Sequence, residues 1–293
     1  MSSMNELIVP ILTSFNTNNK IDRIVMRNHA EELLKRGANF LLVCGTTGLG
    51  PSLTYKEKSD LLGVFDDIPE KIIMQVNSLN MEESKILARK AKKLNVNAIA
   101  SLPPYYYPRF PEEWYVRFYK EISSIYPTIV YNFPLTTNYD IQPSLIKKVN
   151  DSGGVLIGIK DTTLDLNHTM SFKWELGADF KVYSGSDSLI LPAIKFGLDG
   201  AVSGAANYAI DLARSIISNP DEKDAIAKQR LITLLSMVSQ KYGQWAANYS
   251  MVKLILKYDV GLPRPPIFPI NKSQEELILT DVNKIIYSST YVR

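Results

Sequence analysis

Lys160 ends an apolar run, Val155-Leu156-Ile157-Gly158-Ile159, and is followed by Asp161-Thr162. A lysine that closes a buried strand is carried to that strand's end, where desolvation disfavours the ammonium form. The neutral amine can then add to a ketone and form an imine. A solvated lysine at a strand end is the other reading of the same residue. Tyr131, in Tyr131-Asn132-Phe133-Pro134, closes the preceding run. A phenol there can pass a proton to and from a bound substrate. Phenols ordinarily ionise near pH ~10, so it needs a cation or a hydroxyl relay to serve as a base. The alternative is a tyrosine that only packs.

Three further segments carry polar chemistry. Gly45-Thr46-Thr47-Gly48 follows the second apolar run. Two glycines permit a tight turn whose N–H groups converge on an anion, and Thr46 and Thr47 add hydroxyl donors, which suits a carboxylate. No Gly-Lys-Ser/Thr follows, so a nucleotide loop is discounted. A plain strand-ending turn is the competing reading. Pro103-Pro104-Tyr105-Tyr106-Tyr107-Pro108-Arg109 is a stiff aromatic loop with one cation, fit for a substrate role or a subunit contact. Tyr183-Ser184-Gly185-Ser186-Asp187 closes a later run, and Asp187 reads equally well as a helix N-cap. His29 and His168 form no recognisable pair and receive no chemistry. No metal-binding motif is present, so no metal is expected.

The elements that must position these residues repeat. Apolar runs at 7–12, 40–44, 72–76, 98–102, 128–131, 155–159, 182–184 and 200–203 are mostly continuous, as in strands buried on both faces. Helical patterns lie between them. Lys35-Arg36-Gly37 is a helix stop, Thr54-Tyr55-Lys56-Glu57 a capping box, and Asn80-Met81-Glu82-Glu83 a second box. Pro111-Glu112-Glu113 places a proline in a first helical turn. Eight strand–helix repeats over about 210 residues predict an α/β fold, a closed (β/α)8 TIM barrel, with a doubly wound sheet as the alternative. The barrel is predicted to span 1–219 and to carry the active site, and 220–293 to form a C-terminal helical extension packed on it. In a barrel, function sits at the C-terminal ends of the strands, where the residues above fall.

Composition narrows the function classes. The 293 residues hold 33 Lys plus Arg and 30 Asp plus Glu, a net charge of +3 that excludes a strong nucleic-acid footprint. The single cysteine, Cys44, excludes an intramolecular disulfide framework and suits a reducing compartment. No secretory signal is evident, and no apolar run approaches the roughly 20 residues of a membrane helix, so a cytoplasmic protein is expected.

Taken together, the threonine turn after strand two, Tyr-Asn-x-Pro after strand five and Gly-x-Lys-Asp-Thr at strand six resemble the dihydrodipicolinate synthase/N-acetylneuraminate lyase family. Within it, Gly45–Leu53, Pro104–Arg109, Tyr183–Asp187 and Gly261–Pro269 are most similar to archaeal 2-keto-3-deoxygluconate aldolases. The resemblance implies a class I, cofactor-free aldolase that cleaves 2-keto-3-deoxygluconate to pyruvate and glyceraldehyde in a non-phosphorylative Entner–Doudoroff-type catabolism. It implies that Lys160 forms the Schiff base and that Thr46 and Thr47 hold the carboxylate. Thr46 would also link to Tyr131, which moves the C4 hydroxyl proton. Tyr106 would complete the hydroxyl relay near a neighbouring subunit's site in a homotetramer. Thr162, Gly185, Asp187 and Gly204 match cavity-lining positions, and Arg109 matches a phosphate ligand.

The departures matter. Thr136 stands where dihydrodipicolinate synthases carry an arginine. Phe133 and Gln240 stand where relatives that also take the 6-phosphorylated sugar acid carry a tyrosine and an arginine. Each lost contact to a phosphate costs about 1.5–3 kcal/mol, so a preference for the non-phosphorylated substrate is predicted. The remaining alternatives are a sialic-acid-type lyase, a dihydrodipicolinate synthase, a keto-sugar-acid dehydratase, and a non-catalytic keto-acid-binding protein.

Overall fold

The computed structural model describes residues 5–107 and 110–290, with side chains to residue 287. Among these described residues eight strands form: β1 (Glu6–Pro10), β2 (Phe40–Val43), β3 (Ile72–Gln75), β4 (Ala98–Ser101), β5 (Thr128–Asn132), β6 (Leu156–Asp161), β7 (Lys181–Ser184) and β8 (Gly200–Val202). They pair in parallel in chain order and β8 closes on β1, so the sheet is a barrel, not an open wound sheet. Successive strand residues point to opposite faces. One set, with Ile8, Leu42, Ile73, Ala100, Ile129 and Val202, fills the inside. The alternate set, with Leu7, Leu41, Met74, Ile99, Val130 and Val182, packs under the helices. Both faces are therefore apolar, which is why the runs read as continuous.

The helices are α1 (Arg23–Lys35), α2 (Tyr55–Leu61), α3 (Met81–Leu94), α4 (Glu112–Ser123), α5 (Pro134–Thr137), α6 (Pro143–Asp151), α7 (Leu166–Leu176), α8 (Ile190–Lys195), α9 (Ala206–Ser218), α10 (Ala225–Lys241), α11 (Gln244–Leu256) and α12 (Lys272–Thr290). Among the described residues, none is long and apolar enough to cross a membrane. The box at Thr54 is reciprocal: Glu57 N donates to Thr54 Oγ1 and Thr54 N to the Glu57 carboxylate. The second box forms differently. Asn80 Oδ1 accepts from Glu82 N, but Glu83 accepts from Ser78 Oγ, which itself accepts from Asn80 N. The serine stands between the acid and the backbone donor. Pro111 is the N-cap of α4 and not its first-turn residue, because its extended ψ of 145° lies outside the helix. Gly37 takes φ +102° just past α1, as its position after Lys35-Arg36 predicts.

β6 runs two residues further than its apolar pattern. Lys160 and Asp161 stay in register with Tyr131 and Asn132 of β5 and with Tyr183 and Ser184 of β7. Neighbours on both sides satisfy the backbone there, so the lysine is held on a strand and not on a loose end. Buried residues of α10 and α11, among them Ile232, Leu235, Ala247 and Met251, belong to the same core as the barrel's outer face.

Candidate active site

Tyr131 and Lys160 are register partners on adjacent strands, 3% and 7% exposed. Lys160 Nζ lies 3.8 Å from the centre of the Tyr131 ring. Among the described residues it forms no ion pair and no hydrogen bond, so its nitrogen is not committed to a carboxylate. The solvated-lysine reading fails on burial. The Tyr131 hydroxyl is 3.5 Å from Thr46 Oγ1, and its ring stacks on Phe133 at 5.7 Å between centres.

The threonine turn is built by close approach. A Cβ on Gly48 would come 2.5 Å from Ile11 O, and one on Gly50 only 1.8 Å from Cys44 O. Leu49 N donates to Thr46 O, Gly50 N to Gly45 O, and Thr13 Oγ1 to Gly48 O. Within the described residues the Thr46 and Thr47 N–H groups have no protein acceptor. Burial pushes the Cys44 thiol up to about 12, so the residue before this turn is an inert thiol.

Gly185 lets the end of β7 close on β6. A Cβ there would meet Thr162 Oγ1 at 2.3 Å, Asp161 O at 2.9 Å and Lys160 Cε at 3.0 Å. Thr162 Oγ1 is buried without a hydrogen-bond partner. Asp187 does not cap its own helical turn; Ser186 does, accepting from Ser188 N. The Asp187 carboxylate reaches across the site instead and accepts from Ser203 Oγ at 2.6 Å, Ala205 N at 3.1 Å and Ser236 Oγ at 3.2 Å. That correction follows from distance in sequence: its partners lie 16 and more residues away. Gly204 has room for a side chain: a Cβ there would lie in ordinary van der Waals contact, 3.6 Å from Thr47 Oγ1 and 3.9 Å from Asp187 Oδ2.

These residues share one cavity of about 540 Å3, lined by Thr46, Thr47, Tyr131, Lys160, Thr162, Gly185, Asp187 and Gly204. Tyr106 is not among them. It lies 79% exposed on the loop after β4, with φ +78°, edge-on to Tyr107. Arg109 lies outside the described residues. The cavity also takes Thr233, Ser236, Met237 and Gln240 from α10, and Gln244 and Trp245 from α11, so its wall crosses the residue-219 boundary. Gln229 explains how: its amide donates to Asp187 O and accepts from Leu191 N, pinning α10 to the barrel mouth. No spacing along the chain announces that contact. Among the described residues, Lys160 and Asp187 are the charged side chains that line it, and Phe133 and Gln240 lie in the wall.

A closed β/α barrel with a buried, unpaired lysine beside a tyrosine, and open backbone donors at the same mouth, defines a barrel enzyme equipped for carbonyl chemistry. The model of the dihydrodipicolinate synthetase family matches residues 3–285, and the chain belongs to that family. It is 38% identical over 285 residues to the 2-dehydro-3-deoxy-phosphogluconate/2-dehydro-3-deoxy-6-phosphogalactonate aldolase of Sulfurisphaera tokodaii, covering 96% of this chain and 97% of that protein. It is 32% identical to the 2-dehydro-3-deoxy-D-gluconate/2-dehydro-3-deoxy-phosphogluconate aldolase of Thermoproteus tenax, over 95% of this chain and 91% of that protein. The Sulfolobus 2-keto-3-deoxygluconate aldolase, solved in complex with D-KDPG, superposes with a TM-score of 0.92 at 36% identity, over 98% of each chain. The chain is an enzyme, a carbon–carbon lyase.

Proposed function

We propose that this enzyme is a class I aldolase that cleaves 2-keto-3-deoxygluconate reversibly to pyruvate and glyceraldehyde. Lys160 Nζ adds to the C2 ketone and expels water to give an iminium. The Thr46 and Thr47 donors hold the C1 carboxylate and turn C2 toward the amine. Tyr131 takes the C4 hydroxyl proton as the C3–C4 bond breaks and hands its own proton to the hydroxyl relay through Thr46 Oγ1. The bonding electrons pass into the iminium, leaving an enamine and free glyceraldehyde. Tyr131 returns the proton to C3, and water hydrolyses the imine to release pyruvate. The observation that carries this reading is the buried, unpaired Lys160 amine on the Tyr131 ring, at the same mouth as two unpaired backbone N–H groups.

The proposal extends to a preference for the non-phosphorylated acid, since Phe133 and Gln240 offer a phosphate no charge. The relatives are named for phosphorylated substrates as well, so a panel of 2-keto-3-deoxy acids with a pyruvate-release readout decides it. Higher kcat/KM on the non-phosphorylated acid is expected; equal or better use of the 6-phosphate refutes the preference. We place the enzyme in non-phosphorylative Entner–Doudoroff-type catabolism in the cytoplasm, as a homotetramer in which Tyr106 reaches a neighbour's site.

A further inference from the structure

Next to Tyr131 and Lys160 on their strands stand Asn132 and Asp161, which face out of the barrel. They are also register partners. Asn132 Nδ2 donates to Asp161 Oδ1 at 2.9 Å and to Asp140 Oδ1 at 2.8 Å, and Asn132 Oδ1 accepts from Ile141 N at 3.1 Å. One amide thus joins two strand ends to the segment between α5 and α6, and brings two carboxylates together. The balancing group comes from α7. His168 Nδ1 lies 3.1 Å from Asp161 Oδ2, and Nε2 lies 3.4 Å from Asp140 Oδ1. Thr163 and Thr169 hydroxyls complete the shell of Asp161 at 2.8 and 2.6 Å. The imidazole meets Phe172 edge-on.

The groups around this imidazole are acidic or neutral. Asp161 faces it from β6, and Asp140 and Gln142 from the segment before α6. Asp165, at the start of α7, accepts from His168 N. Among the described residues no lysine or arginine joins them. The Asp161 hydrogen bond holds the His168 imidazole above the ordinary histidine range, against burial, and Asp140 adds to the effect. Burial alone would raise the Asp161 carboxyl, but the bonds from His168, Thr169 and Thr163 hold it below its usual range. Among the described residues no three such groups are gathered so as to hold a metal ion.

We infer that His168, as an imidazolium between Asp161 and Asp140, is a positioning residue that fixes the ends of β5 and β6 and thereby the Lys160–Tyr131 geometry. The inference rests on the imine reading of Lys160. Its sign is set: the clamp is complete while His168 is protonated and is lost as pH rises through the raised folded-state value. A neutral ring leaves two carboxylates facing one amide with one N–H fewer between them.

The chain has two histidines, and burial lowers His29 to about 4, so the two titrations separate by NMR on the whole protein. Imine formation with pyruvate, read by borohydride trapping across pH, is compared with the His168 titration in the wild type and in Asp140→Asn, a substitution at a half-exposed side chain. Removing the Asp140 charge moves the His168 midpoint down, and the alkaline limb of trapping moves with it. His168→Gln loses that limb and about tenfold in kcat, with KM little changed. An Asp140→Asn midpoint that moves while the limb stays, or a His168→Gln enzyme with wild-type kcat and limb, overturns the inference while leaving the imine reading intact. A wild-type chain that is not trapped at all overturns both.

Discussion

Lys160 Nζ sits 3.8 Å from the centre of the Tyr131 ring, while the Tyr131 hydroxyl points away to Thr46 Oγ1 at 3.5 Å. In the proposed mechanism the ring would separate two tasks: its face shelters the amine, and its hydroxyl moves the proton. Tyr131→Phe keeps the ring and removes the hydroxyl. Pyruvate should still be trapped on the protein, while aldol cleavage falls about 10²–10⁴-fold, the range of general acid–base catalysis. Equal loss of trapping and cleavage would show that the hydroxyl is needed for imine formation as well.

Two glycines in the cavity should behave in opposite ways. Gly185→Ala places a methyl 2.3 Å from Thr162 Oγ1 and 3.0 Å from Lys160 Cε, so the β6 end must shift. Activity should drop by about 100-fold or more, the scale of an ångström-level misplacement. Gly204→Ala meets nothing closer than 3.6 Å. It should fold with an unchanged melting temperature and raise KM for the sugar acid by narrowing the cavity. Parallel kinetics and melting curves check both; a wild-type Gly185→Ala enzyme would remove the steric argument.

Gln240 lines the cavity from α10. Gln240→Arg supplies a charged donor there, worth roughly 1.5 kcal/mol or about tenfold toward a phosphate. The ratio of kcat/KM for phosphorylated over non-phosphorylated acid should rise by that order. An unchanged ratio would mean that the phosphate end lies elsewhere.

Acid should unfold the protein through two identifiable groups. Arg264 makes a two-pronged ion pair with Glu57 and holds its carboxyl down to about 2. Because the folded value lies below the ordinary one, this stability is present above about 4.5 and is lost as pH falls toward about 2. Burial holds His29 neutral to about 4, so it opposes folding once pH falls below its ordinary 6.5. Melting temperature should therefore fall on acidification, and Glu57→Gln should flatten the lower part of that fall. A pH slope unchanged in Glu57→Gln would assign the acid lability to other groups.

How much of this was legible along the chain depended on whether the physics was local. Strands buried on both faces leave continuous apolar runs, so all eight could be located from their residues. The lysine and tyrosine that close neighbouring strands were visible because a strand's end dictates where its last side chains go. The exact ends were less visible, since β6 extends through Lys160 and Asp161 only because β5 and β7 pair with it there. Asp187 was ambiguous for the same reason: its partners Ser203, Ala205 and Ser236 come together only in space. His168 looked idle because Asp140 and Asp161 reach it from separate elements. Of the α10 contribution to the cavity wall only Gln240 was visible, through the family resemblance; Thr233, Ser236 and Met237 were hidden, because a helix that lines a site and one that merely covers a barrel share the same apolar stripe.

In the proposed reaction Lys160 Nζ becomes covalently bound to the keto carbon. Incubating the enzyme with pyruvate and sodium borohydride, then locating the modification by peptide mass spectrometry, tests it directly. One carboxyethyl group is expected on Lys160 and none in Lys160→Ala, which should also lose aldolase turnover. An unmodified Lys160 in an enzyme that still cleaves the sugar acid, or substantial turnover by Lys160→Ala, would contradict it.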